Sequence, residues 1–134
     1  MKKNKTIWII GIVVLALFVL AVILSILRGS EDSWIMDEKG VWIMHGNTTE
    51  IPDYVGNQQT ALNCANDLYA IQGLRGMHES QCLGSCYDYA VDLVYAPRID
   101  VDNLAENQCA AYRNGTLQHF IEVNNKNGDI VRVV

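Results

Sequence analysis

The chain lacks a second long apolar run, an excess of positive charge and a Cys-x-x-Cys pair. The first absence excludes a polytopic transporter, since each further span would need about 20 apolar residues. With ten Lys and Arg against fifteen Asp and Glu, the chain is no basic nucleic-acid binder, and it repels polyphosphate. Without Cys-x-x-Cys, the usual motif of a disulfide oxidoreductase is missing. No D-x-D-x-D-G run marks a calcium loop, although Asp88, Asp92, Asp100, Asp102 and Glu106 are dense enough to hold a divalent cation loosely. At 134 residues a multidomain enzyme is excluded, and half the residues being apolar excludes a disordered tail.

What is present divides sharply. From Ile7 to Leu27 there are 21 residues, all apolar except Gly11 and Ser25. At about 1.5 Å per residue that length matches a hydrocarbon core of about 30 Å. Lys2, Lys3 and Lys5 precede the run, whereas Arg28 is followed at once by Glu31 and Asp32. The basic bias places the N-terminus in the cytoplasm and everything after the run outside the cell membrane. A cleaved signal peptide would have a shorter apolar region and an A-x-A site. Here the run ends Ser25-Ile26-Leu27-Arg28-Gly29-Ser30, so an uncleaved single-pass anchor is expected. Gly11 and Ser25 are too far apart for a GxxxG pairing face. The expected organisation is a cytoplasmic tail over 1–6, a transmembrane helix over 7–27, a tether over 28–33 and one external domain over 34–134.

Beyond residue 30 lie six basic residues and all fifteen acidic ones, a net charge of −9. Trp34-Ile35-Met36-Asp37 is echoed by Trp42-Ile43-Met44-His45, with Asp37-Glu38-Lys39-Gly40 as turn chemistry between them. This predicts a hairpin with strands near 34–36 and 41–44, apolar on both faces and therefore buried in the core. Thr49 is placed to cap a helix starting near Pro52. Val55, Leu62, Ala65, Leu68 and Tyr69 follow at helical spacing, and Gly73 and Gly76 end the helix. Residues 98–107 suit a loop, and Asn114-Gly115 a turn or helix stop. Leu117–Val123 and Ile130–Val134 read as strands joined by the Asn- and Gly-rich 124–129. In the stretch between, Tyr87, Tyr89, Val91, Leu93 and Tyr95 alternate as in a strand, yet Tyr87, Ala90, Val91 and Val94 also fit a helix from Ser85. The fold class is α+β.

All four cysteines, Cys64, Cys82, Cys86 and Cys109, lie in the external part. An even count in a small domain of an oxidising compartment predicts two disulfides. Four cysteines allow three connectivities. A Cys82–Cys86 bond would close too short a loop to help, which favours cross-links between distant segments, each contributing about 3 kcal/mol. Two such connectivities remain, and Cys64–Cys86 with Cys82–Cys109 is taken as the working assignment without a feature that separates it from Cys64–Cys82 with Cys86–Cys109. A zinc site through His78, Cys82 and Cys86 is the second reading, opposed by Gly84 in its span and by the unusual spacing. His45 stands alone in the sequence. No cofactor or metal is expected. Asn47-Thr48-Thr49 and Asn114-Gly115-Thr116 are sequons that permit glycosylation.

Gln81-Cys82-Leu83-Gly84-Ser85-Cys86-Tyr87 resembles the nucleophile segment of papain-like cysteine enzymes. Cys86-Tyr87-Asp88-Tyr89-Ala90 is similar to the helix start of transglutaminase-like proteins, and His119-Phe120-Ile121-Glu122-Val123 to their histidine strand. The resemblance implies a helix from Ser85 and tips the ambiguous stretch that way. It also implies Cys86 as nucleophile, His119 as its base and Gln81 as an oxyanion donor, for acyl transfer or amide hydrolysis. It covers residues 81–123. The next strand, Ile130 to Val134, has no Asp or Asn to orient the histidine. Across the external part, Ile51-Pro52-Asp53-Tyr54-Val55, Ser80–Gly84, Asn107–Cys109 and His119–Glu122 resemble small single-span archaeal membrane proteins, a likeness that implies topology alone. The leading expectation is an anchored extracytoplasmic binding or structural module with an unidentified protein or peptide partner. The competing expectation is a small cell-surface cysteine hydrolase or acyltransferase.

Overall fold

A computed structural model describes residues 2–28, 32–72 and 80–134. Helix α1 runs Lys2–Arg28, and every residue from Trp8 to Ile26 is exposed. This is one helix long and apolar enough to cross a membrane. Strands β1 (Ser33–Met36) and β2 (Trp42–His45) form the expected two-stranded hairpin. Helix α2 (Asp53–Gln72) follows. A four-stranded sheet is then built from β3 (Cys82–Cys86), β4 (Tyr89–Val94), β5 (His119–Asn124) and β6 (Ile130–Val133), in that spatial order. The outer pairs are antiparallel and β4–β5 is parallel. Parallel strands need a long crossover. Residues 95–118 supply it, carrying two 3₁₀ turns (Asp100–Asn103 and Ala105–Asn107) and the short helix α3 (Ala110–Arg113). The class is α+β, as expected.

The two faces of this sheet have different covers. Tyr89, Val91, Leu93, Ile121 and Val123 point to one side and pack with Ala61 and Ala65 of α2. Ala90 and Phe120 point to the other and pack with Cys109, Tyr112 and Leu117 of the crossover. All six residues of β4 are buried, because a central strand covered on both faces has no solvent side.

The cysteines staple both covers to the sheet. Cys64 of α2 is bonded to Cys86, and Cys82 to Cys109 of the crossover. In a regular strand, Cys82 and Cys86 would share a face, since side chains alternate with period two. A bulge between Cys82 and Gly84 breaks that parity. Gly84 adopts φ +139°, a conformation that L side chains rarely take. Leu83 and Cys86 therefore join the α2 side, while Cys82 joins the crossover side.

Several expectations are corrected. Residues 85–95 form strand, turn and strand rather than a helix from Ser85. Cys86 pairs with Tyr89, leaving Tyr87-Asp88 as a two-residue turn, and Tyr87 takes φ +59°. Only the first central residue of the turn is a positive-φ position, where glycine is usual, so no Asn-Gly signal betrays it. Helix α2 opens on Pro52, whose carbonyl accepts from the Val55 and Gly56 amides at 3.0 Å, so Thr49 does not occupy the capping position. The first hairpin is not core. Ile35 and Ile43 are 40% and 43% exposed, and Met36 and Met44 are more so. Gly73, Gly76, His78 and residues 29–31 of the tether lie outside the described residues.

Candidate functional site

The site begins with how the hairpin is held. Gln58 of α2 is buried, and its side chain meets the hairpin backbone twice. Its Oε1 accepts from the Trp42 amide at 2.8 Å, and its Nε2 donates to the Gly40 carbonyl at 2.9 Å. Gly40, at φ +83°, lies so close to β6 that a Cβ there would meet the Val133 carbonyl oxygen. The Val133 amide donates to the Lys39 carbonyl at 2.7 Å. The turn is thus tied to both α2 and the sheet edge, which fixes Trp42 against Tyr54 in an edge-to-face pair with centroids 4.9 Å apart.

Between hairpin, α2 and the ends of β4 and β5 lies a groove of about 380 Å³. Two ring pairs line it, Trp42 with Tyr54 and Tyr89 with His119, and Asp88 and Asn57 supply polar groups. Tyr89 and His119 are parallel-strand partners whose rings lie 5.0 Å apart. The Asp88 carboxylate is 3.8 Å from His119 Nε2 and well exposed, so it faces water with capacity for a further partner. Burial pushes the Tyr89 phenol above its ordinary value and the Asp88 charge adds to that, with a Gln58 hydrogen bond acting the other way. Tyr89 is accordingly a neutral hydroxyl. Aromatic faces around a carboxylate suit a ligand bearing a positive charge.

The other face of the sheet holds three buried carboxylates. Asp102 accepts from Gln81 Nε2 at 2.6 Å, from the Ile99 amide at 2.9 Å and from the Tyr95 amide at 3.3 Å, and so shapes the start of the crossover. Glu122 is gripped by Arg98 and, through two nitrogens at 3.1 and 3.2 Å, by Arg132. Asp92 accepts from the Cys109 amide at 2.9 Å, and burial raises its pKa from 3.8 to about 6. These roles keep Asp92 and Asp102 apart. Among the described residues, the five acidic positions from Asp88 to Glu106 form no three-carboxylate cluster.

The residues of the cysteine-enzyme reading are not assembled. Cys86 is 1% exposed and its sulfur is bonded to Cys64, which leaves no thiolate. His119 lies on β5, with β4 between it and β3. The Gln81 amide is committed to Asp102 rather than to an oxyanion hole. The zinc reading fares no better, since Cys82 and Cys86 are each bonded to a different cysteine. Asn47 and Asn114 are both exposed, so the sequons are accessible. The groove has no signal in the sequence: the apolar pattern places Trp42 in a core hairpin and gives Tyr54 no part in a site, and only the fold brings both into one groove with His119. No protein-family model, curated protein or solved structure matches the chain.

Proposed function

We propose that the chain is a single-pass, membrane-anchored extracytoplasmic binding module, with Ile7–Leu27 in the bilayer and the N-terminus in the cytoplasm. The apolar α1, the lysines before it and the two disulfides beyond it support that placement. The ligand site is the groove between the hairpin, α2 and the sheet, and its ligand is a basic segment of a protein or peptide. The observation that carries this reading is that the aromatic residues Trp42, Tyr54 and Tyr89 line one groove together with the exposed Asp88. A guanidinium or ammonium group would lie over the Trp42 or Tyr54 ring and pair with Asp88. The −9 charge beyond residue 30 would speed its arrival and make binding sensitive to salt.

The test uses the full chain in nanodiscs of zwitterionic lipid, titrated calorimetrically with a short arginine-containing peptide. Binding is expected to weaken with added salt, about tenfold or more in Trp42→Ala and about fivefold in Asp88→Asn. Binding of a neutral oligosaccharide in place of the peptide, or peptide binding indifferent to both substitutions, would overturn it.

A further inference from the structure

The two disulfides differ in one respect. Cys64–Cys86 sits on the apolar α2 side of the sheet. Cys82–Cys109 has a buried carboxyl beside it: the two sulfurs and an Asp92 oxygen lie within 4.8 Å of one another. Asp92 is the cross-strand partner of Cys82, and it accepts the Cys109 amide hydrogen. It is 7% exposed and, among the described residues, shares its nearby arginines: Arg98 and Arg132 both donate to Glu122, and Arg98 only partly offsets the burial of Asp92. Besides accepting the Cys109 amide hydrogen, an acid so placed can assist exchange at the disulfide by protonating a departing sulfur.

We propose that Cys82–Cys109 is a redox-active disulfide, opened by a dithiol reductant, with Asp92 as the acid that protonates the departing Cys109 sulfur. Cys82 is part-exposed and is the sulfur open to attack, whereas Cys109 is 1% exposed. The Cys109 sulfur lies 3.4 Å from the carbonyl oxygens of both Gly84 and Val91. Burial between two carbonyl oxygens disfavours a thiolate and suits a thiol, whose hydrogen they can accept. The Cys109 sulfur therefore leaves readily only when a proton reaches it as the bond breaks.

The steps balance. A thiolate of the reductant bonds to Cys82 Sγ, the Cys82–Cys109 bond breaks, and its electron pair goes to Cys109 Sγ, which takes the proton from Asp92. The reductant's second thiolate then attacks its own sulfur in the mixed disulfide. The reductant leaves as a disulfide, and Cys82 takes a proton from water. Asp92 regains its proton through the cleft of about 300 Å³ that it lines with Gln108, Tyr112, Glu122 and Arg132. The charged and titratable groups facing Asp92 are Glu122 on β5, Arg98 of the crossover, Arg132 on β6 and Tyr112 of α3. The raised pKa of Asp92 keeps a protonated fraction available near neutrality.

Cys64–Cys86 is an internal reference that cancels the pH dependence of the reductant. The experiment treats the full chain in nanodiscs with dithiothreitol from pH 5 to 8, alkylates at intervals and maps the modified cysteines by mass spectrometry. Cys82–Cys109 is expected to open first, and the ratio of the two opening rates is expected to fall as Asp92 ionises. Asp92→Asn should slow opening of Cys82–Cys109 at pH 5.5 by roughly tenfold or more and flatten the ratio. Three results would overturn the proposal: Cys64–Cys86 opening first, a pH-independent ratio in the unaltered chain, or an Asp92→Asn protein that opens as fast or faster, in which case the carboxylate merely repels the thiolate. The first two use only the unaltered chain, so they stand even if the variant fails to fold.

Discussion

Asp92 and Glu122 are partners across the parallel pair β4–β5, yet the fold provides for them differently. Glu122 has two guanidinium groups; Asp92 has one backbone amide and a place beside a disulfide. Burial raises the Asp92 pKa from 3.8 to about 6, so in the folded chain the proton is held more tightly than in the unfolded one. The sign follows from linkage. Well below the unfolded value of 3.8 both states are protonated and the site costs nothing, and the cost grows between that value and about 6. As pH rises through about 6, stability is lost, reaching about 3 kcal/mol above neutrality. Asp92→Asn retains the acceptor for Cys109 and abolishes the ionisation. It should therefore raise the free energy of unfolding by up to about 3 kcal/mol at pH 7.5 and change it little at pH 4, as urea titrations at the two pH values would show. Neither burial nor pairing of Asp92 was legible in the sequence, where it is one of five neighbouring acidic residues. What separates it from Asp88, four residues earlier, is the turn at Tyr87-Asp88, which leaves Asp88 in water and carries Asp92 inside.

Among the elements, those with strong local chemistry were legible. The two Trp-Ile-Met strands flank turn residues, α2 has its apolar stripe, and β5 and β6 are joined by an Asn- and Gly-rich loop. The β3–β4 hairpin was not legible, because its turn is Tyr-Asp and its second strand is apolar on both faces, a pattern that a helix also satisfies. The parallel β4–β5 pairing has no local signal at all, since it depends on where the 24 residues of the crossover return. The same holds for the bulge at Gly84, which turns a four-residue cysteine spacing into two staples on opposite faces. Gly84→Val forces a β-branched side chain into φ +139°. It should cost about 2–3 kcal/mol in thermal or urea unfolding. Non-reducing peptide maps of the variant should show loss of the native Cys82–Cys109 link before that of Cys64–Cys86.

At the scale of the whole chain, an apolar helix is joined to a small acidic domain whose sheet has one cover disulfide-linked on each face. Closing loops with sequence separations of 22 and 27 residues stabilises such a domain by about 3 kcal/mol per bond, which is substantial for a core this small. Loop length excludes a Cys82–Cys86 bond but does not separate the two remaining pairings, of which Cys64–Cys86 with Cys82–Cys109 is the one observed. The likeness of residues 81–87 to a nucleophile segment has a plainer origin, since Gly84, Ser85 and Cys86 build a bulged strand that ends in a staple. The bond to Cys64 makes Cys86 structural, so the proposed binding falls to the groove and the proposed exchange to Cys82–Cys109. The most direct measurement is alkylation of the full chain in nanodiscs without reductant, followed by intact mass and peptide mapping. The expected result is an unmodified Cys86 linked to Cys64. A reactive thiol on Cys86, with reactivity that falls in His119→Ala, would contradict it and restore a cysteine enzyme.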